Sequence, residues 1–167
     1  MTGALALLSL LTIQRACELA IATRNTRRLL ARGAYEVGAG HYPVMVALHA
    51  TWLATLWWLG RERTLVVPFV AALIALELGR AWVLATLGAR WTTRVLLVPS
   101  EVPVTSGPFR FVRHPNYLVV ALELPCASLA LGLVRHAILF GFLNFAMLAW
   151  RIRVENRAFA LVERAAS

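Results

Sequence analysis

The run LVVPFVAALIALELGRAWVLATLG, residues 65 to 88, decides the fold. A transmembrane helix needs about 20 mainly apolar residues to cross the hydrocarbon core of a bilayer, and this run is long enough. Its charged residues, Glu77 and Arg80, are three positions apart, so they lie on one helical face and can neutralise each other. The run is therefore predicted to be a transmembrane helix with an internal ion pair.

Further apolar runs come close to the same length, and they occupy residues 3 to 22, 42 to 59, 117 to 134 and 136 to 153. The chain of 167 residues is 60% hydrophobic with a mean hydropathy of +0.69, which is more than the polar surface of a soluble domain allows. We predict an all-α fold, a polytopic membrane helical bundle of about five transmembrane helices. The links after the second and fourth runs are short, so each of those pairs should form an antiparallel hairpin.

No internal repeat or domain boundary interrupts the chain, so we expect residues 1 to 167 to form a single membrane domain. Residues 1 to 88 should supply three N-terminal transmembrane helices. Residues 89 to 160 should supply a polar loop, a helical hairpin and a tail.

The net charge of +9 comes from 17 basic residues, all of them arginine, which lie in small groups between the apolar runs. This distribution does not favour nucleic acid as a partner. Positively charged loops stay in the cytoplasm, and the two long links and the C-terminal tail hold most of the arginines. We predict an integral membrane protein with the N-terminus outside and the C-terminus cytoplasmic. The absence of lysine is consistent with a GC-rich bacterial genome, so the expected membrane is a bacterial inner membrane. The protein's expected surroundings are membrane lipids, and no obligate protein partner is evident.

Polar side chains inside the apolar runs are candidates for a site, because they are costly in lipid. Arg15 and Glu18 are three positions apart and are expected to pair. Glu123 and Asn144 have no local partner, so Glu123 needs one from another helix or belongs to the site. His49 can hydrogen-bond within the bundle or contact a substrate. We name His49 and Glu123 as candidate substrate-binding residues.

Other reactive side chains give little signal. Cys17 and Cys126 fall within apolar runs and are expected to be small core residues. His136 is expected to be solvated in an outer turn. No spacing of histidine, cysteine or carboxylate residues predicts a metal site.

The stretch VTSGPFRFVRHPNY, residues 104 to 117, interrupts the apolar pattern. Its first residues are typical of a turn, and Pro115 is at the predicted mouth of the fourth helix, where proline is tolerated. His114 or Asn116 can cap that helix, and the exposed amides of its first turn favour an anionic group. An ordinary basic loop in contact with lipid headgroups is the alternative.

The stretch RIRVEN, residues 151 to 156, leaves the fifth helix with Arg151 and Glu155 on one face. Taken alone, this pair is typical of a salt bridge within a helix. The short turn between the fourth and fifth helices brings the inner ends of both side by side, so the two stretches are expected to meet.

Together the two stretches resemble the isoprenylcysteine carboxyl methyltransferase family and its relatives among the phospholipid methyltransferases. The shared pattern is a T-S-G turn, an aromatic residue, R-H-P-x-Y at a helix start and R-x-x-x-E-E at the end of the next helix. The resemblance covers about residues 90 to 160. Phe109 stands where the family has tyrosine, and Asn156 stands where it has a second glutamate.

The resemblance implies an integral membrane methyltransferase that uses S-adenosyl-L-methionine, with a cytoplasmic cofactor pocket formed by the C-terminal hairpin. The catalytic residues it implies are Arg151, which faces the acidic group of the acceptor, and Glu155. The cofactor-binding residues it implies are Glu101, Val102, Pro103, Val104, Phe109, His114, Pro115, Asn116, Tyr117 and Glu155.

The expected reaction is transfer of a methyl group to an oxygen, a carboxylate or an enol, of a lipophilic substrate dissolved in the membrane. The segment from residue 24 to residue 49 resembles a bacterial branch of the family in which some members methylate long-chain alkylpyrones. Three alternatives remain: an N-methyltransferase of the phospholipid type, an NADPH-dependent membrane reductase of related fold, and a non-catalytic membrane module.

Overall fold

The computed structural model describes residues 2 to 98 and 103 to 166, with side chains up to residue 157. Helices dominate this part of the chain, so the prediction of an all-α membrane helical bundle is confirmed. The five α-helices are α1 (Thr2–Ala31), α2 (His41–Gly60), α3 (Val67–Leu87), α4 (Pro115–Ala130) and α5 (Val134–Ala166). Two-residue strands, β1 (Tyr35–Glu36) and β2 (Leu96–Leu97), pair antiparallel with Tyr35 opposite Leu97.

Within the described residues, four helices are long and apolar enough to cross a membrane: α1, α2, α3 and α5. The fourth helix, predicted over residues 117 to 134, has 16 residues and ends at Ala130. At 1.5 Å per residue it is about 24 Å long, shorter than a hydrocarbon core of about 30 Å. The number of helices is confirmed, but α4 is too short to be counted as a full span.

Gly132 ends α4 early and starts the hairpin. Its φ of +68° is a left-handed conformation that glycine adopts without strain. The Gly132 N–H donates to Leu129 O and the Leu133 N–H donates to Ser128 O, both at 2.9 Å. This is the Schellman arrangement, and it turns the chain directly into α5.

At each end of the bundle, two of the links between helices contact each other. At one end, which we call the far end, the Val66 N–H donates to Ala130 O at 2.9 Å, so the α2–α3 link meets the α4–α5 turn. At the opposite end, the β1–β2 pair joins the α1–α2 link to the α3–α4 link. We call this second end the site end.

His136 is buried at the far end, so the prediction that it is solvated was wrong. Only 7% of it is exposed. Its Nδ1 lies 2.9 Å from Ser128 Oγ on α4, and its Nε2 lies 2.9 Å from Thr55 Oγ1 on α2. Because α4 stops early, His136 falls within the first turn of α5, where both hydroxyls can reach it.

A buried ion cluster joins α1, α3 and α4 in the middle of the bundle. Glu123 is fully buried and takes the guanidinium of Arg15 on one carboxylate oxygen and that of Arg80 on the other. The expected partner from another helix is therefore confirmed. Arg15 also pairs with Glu18 at 2.7 Å, and Arg80 lies 3.6 Å from Glu77, so both local pairs are confirmed as well.

Substitution of Glu123 by glutamine should destabilise the bundle by about 3 kcal/mol, because the new amide nitrogen would face one of the two guanidiniums. Glu62→Gln is the matched control. Its partner is Arg61, and both side chains are mostly exposed, so the loss should be under about 1 kcal/mol. Thermal unfolding in detergent measures both, and equal melting temperatures for the two variants would contradict this role of Glu123.

Candidate active site

The loop before α4 is built as the sequence predicts. Gly107 has a φ of +59°, and a Cβ there would lie 2.5 Å from Thr86 Oγ1 on α3, so glycine is required for both conformation and space. A short 3-10 helix follows over Gly107–Arg110. Pro115 then occupies the first turn of α4, and His114 is at its N-cap without a capping hydrogen bond from its side chain. The loop thus delivers His114, Asn116 and Tyr117 to the site end.

A hydrogen-bonded cluster links α4 to α5. Tyr117 OH donates to Glu155 Oε2 at 2.5 Å and accepts from Arg151 Nε at 2.8 Å. The two residues of the RIRVEN stretch are thus joined through Tyr117. His114 stacks on Tyr117 with ring centroids 5.2 Å apart, and its Nδ1 lies 4.0 Å from Glu155 Oε1. The structure therefore brings both sequence stretches together in one cluster.

Arg151 is fixed in position from several sides. Only 6% of it is exposed. Its Nη1 donates to Thr93 O at 2.6 Å in the α3–α4 link and approaches Met45 Sδ on α2 at 3.0 Å. Nη2 takes part in none of the hydrogen bonds found among the described residues. A buried, held guanidinium with free donors is suited to bind a carboxylate or another anionic oxygen.

The remaining predicted cofactor residues differ in their burial and packing. Two polar atoms at the start of α4, His114 Nε2 and Asn116 Oδ1, are buried and have no hydrogen-bond partner among the described residues. Phe109 packs against the buried cluster of Ala22, Val83 and Trp91. Pro103 is exposed and Val104 half-buried, while Glu101 and Val102 lie outside the described residues. The cofactor roles of all these residues stay predictions.

A cavity of about 390 Å³ extends from this cluster into the bundle. Its site end is formed by Arg151, Tyr117 and Asn116, and its middle has apolar walls that include Leu148. Its deeper wall is polar and consists of Arg15, Glu18, His49, Arg80 and Asn144. Of the two predicted substrate-binding residues inside the bundle, His49 lines the cavity. Glu123 lies behind Arg15 and Arg80.

Apolar residues form a lateral opening of this cavity between α1 and α2. Among the described lining residues, those that are also exposed on the outer surface are Ala16 and Leu19 on α1 and Val46 and Ala50 on α2. We call this set the lateral opening. It faces the region that lipid chains would occupy. Towards the far end it is closed by a hydrogen bond of 2.9 Å from Trp57 Nε1 to Thr12 Oγ1.

Sequence reasoning missed several residues of the cavity. Asn144 was noted as a polar residue without a local partner, and that was a usable signal. Trp91, Thr93 and Met45 gave none, because only packing between distant segments brings Thr93 and Met45 to Arg151 and Trp91 to the cavity.

Comparison with known proteins agrees with the geometry. A family model described as the isoprenylcysteine carboxyl methyltransferase (ICMT) family matches residues 66 to 161, which is more than half of the chain. The "Uncharacterized protein YpbQ" of Bacillus subtilis (strain 168) is 33% identical over 165 residues, which cover 91% of this chain and 94% of the relative. No solved structure matches the chain at a significant level. The chain is therefore an integral membrane protein that belongs to the isoprenylcysteine carboxyl methyltransferase family, a family of membrane methyltransferases.

Proposed function

We propose that the protein transfers a methyl group from S-adenosyl-L-methionine to an oxygen, a carboxylate or an enol, of a lipophilic acceptor dissolved in the membrane. One observation carries the proposal. A single cavity joins the lateral opening, with its apolar residues, to the buried guanidinium of Arg151. A long-chain alkylpyrone or a lipid acid is an acceptor of the required kind.

The loop at the start of α4 fits the cofactor. S-adenosyl-L-methionine carries an ammonium, a carboxylate and a nucleoside, so its pocket needs both donors and acceptors. Among the described residues, His114 Nε2 and Asn116 Oδ1 are buried without hydrogen-bond partners, and the Glu155 carboxylate, with Oε1 4.0 Å from His114 Nδ1, would suit the ammonium group. His114, Asn116, Tyr117 and Glu155 would hold the cofactor. When bound, it supplies a methyl group that is already electrophilic.

The side chains of this protein would then mainly bind and orient. Arg151 would hold the acceptor oxygen through Nη2 and keep it ionised, because a cation beside an acidic group favours its charged form. Tyr117 and Thr93 O fix the guanidinium before the acceptor arrives. Asn116 belongs both to the loop and to the cavity wall, so the acceptor oxygen and the cofactor would meet there.

We further propose that acceptor and cofactor enter by different routes. The acceptor would enter from the bilayer through the lateral opening, and the polar cofactor from the aqueous side at the site end. With the arginine-rich links and tail in the cytoplasm, the site end would face the cytoplasm of a bacterial inner membrane, with the N-terminus outside. No protein partner is needed for this scheme.

The first test is cofactor binding and methyl transfer by the purified protein in detergent. S-adenosylhomocysteine should bind and raise the melting temperature, and labelled methyl groups should enter a lipid extract. Arg151→Ala should lower the rate about a hundredfold, because a positioned donor to the reacting oxygen is lost. Arg153→Ala, an exposed arginine on the same helix, is the control. Absence of S-adenosylhomocysteine binding at millimolar concentration would refute the proposal.

Tyr117→Phe tests the link between Arg151 and Glu155. The ring stack on His114 can remain, while both hydrogen bonds of the hydroxyl are lost. We expect a decrease of about tenfold in kcat/KM, since both positioning contacts of the hydroxyl are removed, and a small fall in melting temperature, because Arg151 Nε loses its partner. Steady-state kinetics measure it, and an unchanged kcat/KM would show that the hydroxyl positions nothing.

Ala50→Trp tests the lateral opening. A large side chain there should obstruct the acceptor and lower methyl transfer to lipid by about tenfold or more, with S-adenosylhomocysteine binding unchanged. Ala47→Trp is the matched control, because Ala47 is exposed on the same helix and does not line the cavity. If both variants keep the rate of the unmodified protein, the acceptor enters elsewhere.

A further inference from the structure

The deeper wall of the cavity has polar atoms that the proposed reaction does not use. Three side chains carry them: His49 on α2, Asn144 on α5 and Arg15 on α1. Each lies farther into the bundle than Arg151. Their hydrogen bonds indicate which kind of ligand group they can accept.

His49 presents a hydrogen-bond acceptor to the cavity. Its Nδ1 lies 2.9 Å from Met45 O, and a carbonyl oxygen can only accept, so the proton of the neutral ring is on Nδ1. The other nitrogen, Nε2, then carries a lone pair and no hydrogen.

Asn144 presents a second acceptor. It is fully buried, and its Nδ2 donates to Val120 O at 2.9 Å, which fixes the orientation of the amide. The remaining atom, Oδ1, is buried and has no partner among the described residues. A buried amide oxygen without a partner is rare in folded proteins, so it indicates a missing hydrogen-bond donor.

Arg15 adds one donor to this set. Its Nη1 and Nη2 bond to Glu18 and Glu123, whereas Nε is buried without a hydrogen-bond partner in the part of the chain that the structure describes. The wall therefore offers two acceptors and one donor. A hydroxyl group donates one hydrogen and accepts through its oxygen, so it can pair with the Arg15 donor and with one of the two acceptors at a time. An ether or carbonyl oxygen can only accept, and an ammonium group can only donate.

The position of this wall relative to Arg151 defines where that hydroxyl would be. Asn144 precedes Arg151 by seven residues on α5, which is about 10 Å along a helix. Met45 touches Arg151, and His49 lies one turn, about 6 Å, farther along α2. Ala16 and Ala50 of the lateral opening adjoin Arg15 and His49 in sequence. A lipid held at Arg151 would therefore pass this wall before its chain leaves through the opening.

We propose that His49, Asn144 and Arg15 form a hydroxyl-binding subsite, which selects acceptor lipids that carry a hydroxyl about 6 to 10 Å from the oxygen held by Arg151. The location of that oxygen rests on the proposed function. The acceptor would then be a lipid with two oxygen functions, one methylated and one used for recognition.

Equilibrium binding without cofactor tests the subsite. Isothermal titration in detergent compares 7-hydroxyhexadecanoic acid with hexadecanoic acid and with 16-hydroxyhexadecanoic acid, whose hydroxyl would lie outside the cavity. The mid-chain hydroxyl should increase affinity about tenfold over both controls, as expected for a well-placed hydrogen bond. His49→Phe and Asn144→Leu should each lower that advantage, and the double variant should reduce it to near unity. Met147→Leu, which changes an apolar residue of the same cavity, should keep it.

The proposal would be overturned if the unmodified protein bound the three acids equally, or if it bound none of them. An advantage that is undiminished in both His49→Phe and Asn144→Leu, or that survives in the double variant, would also overturn it. If either variant fails to give a monodisperse, cooperatively unfolding protein, His49→Gln replaces it, and half or more of the advantage should remain because the amide oxygen accepts. Since no cofactor is present, a hydroxyl preference without methyl transfer would refute the proposed reaction and leave the subsite standing. Methyl transfer without the hydroxyl preference would refute the subsite and leave the proposed reaction standing.

Discussion

The shared burial of one carboxylate, Glu123, between two guanidiniums is the interaction on which the site depends. It ties α1 to α3 and α4 through Arg15 and Arg80. Helices α1 and α2 are separated along part of their length by the cavity and its opening, so α1 needs another attachment. The ion cluster supplies it through Arg15 and Glu18 of α1. Arg15, Glu18 and Arg80 of this cluster also form part of the polar deeper wall of the cavity. The cavity can therefore be open to lipid at the lateral opening, while ion pairs hold the deeper wall in place.

Much of the fold could be predicted from hydrophobic length alone, and the errors have local causes. The short α2–α3 link and the α4–α5 turn were expected, and both are present. The end of α4 was placed too late because the apolar run continues past Gly132 through Leu133 and Val134, whereas the left-handed Gly132 ends the helix first. That shift moved His136 into α5 and made it a buried residue. A hydropathy average over many residues does not show where the conformation of a single glycine ends a helix.

The site could be predicted only where residues are close in sequence or match a known pattern. His114, Tyr117, Arg151 and Glu155 were identified in this way, and the structure brings them within hydrogen-bonding or stacking distance of one another. Residues contributed by packing between distant segments, such as Trp91, could not be found.

The two departures from the family pattern now have a structural context. Phe109 packs against the buried cluster that includes Trp91, and Asn156 is exposed on α5. Neither lies in the Arg151 cluster, so neither argues against a working site.

The central claim is that this protein methylates a lipid. The most direct measurement is mass spectrometry of the lipid fraction from cells that express the protein, grown with methyl-deuterated methionine. We expect a lipid that carries one labelled methyl group and is absent from cells that express Arg151→Ala. Identical labelled lipids in both cultures would contradict it.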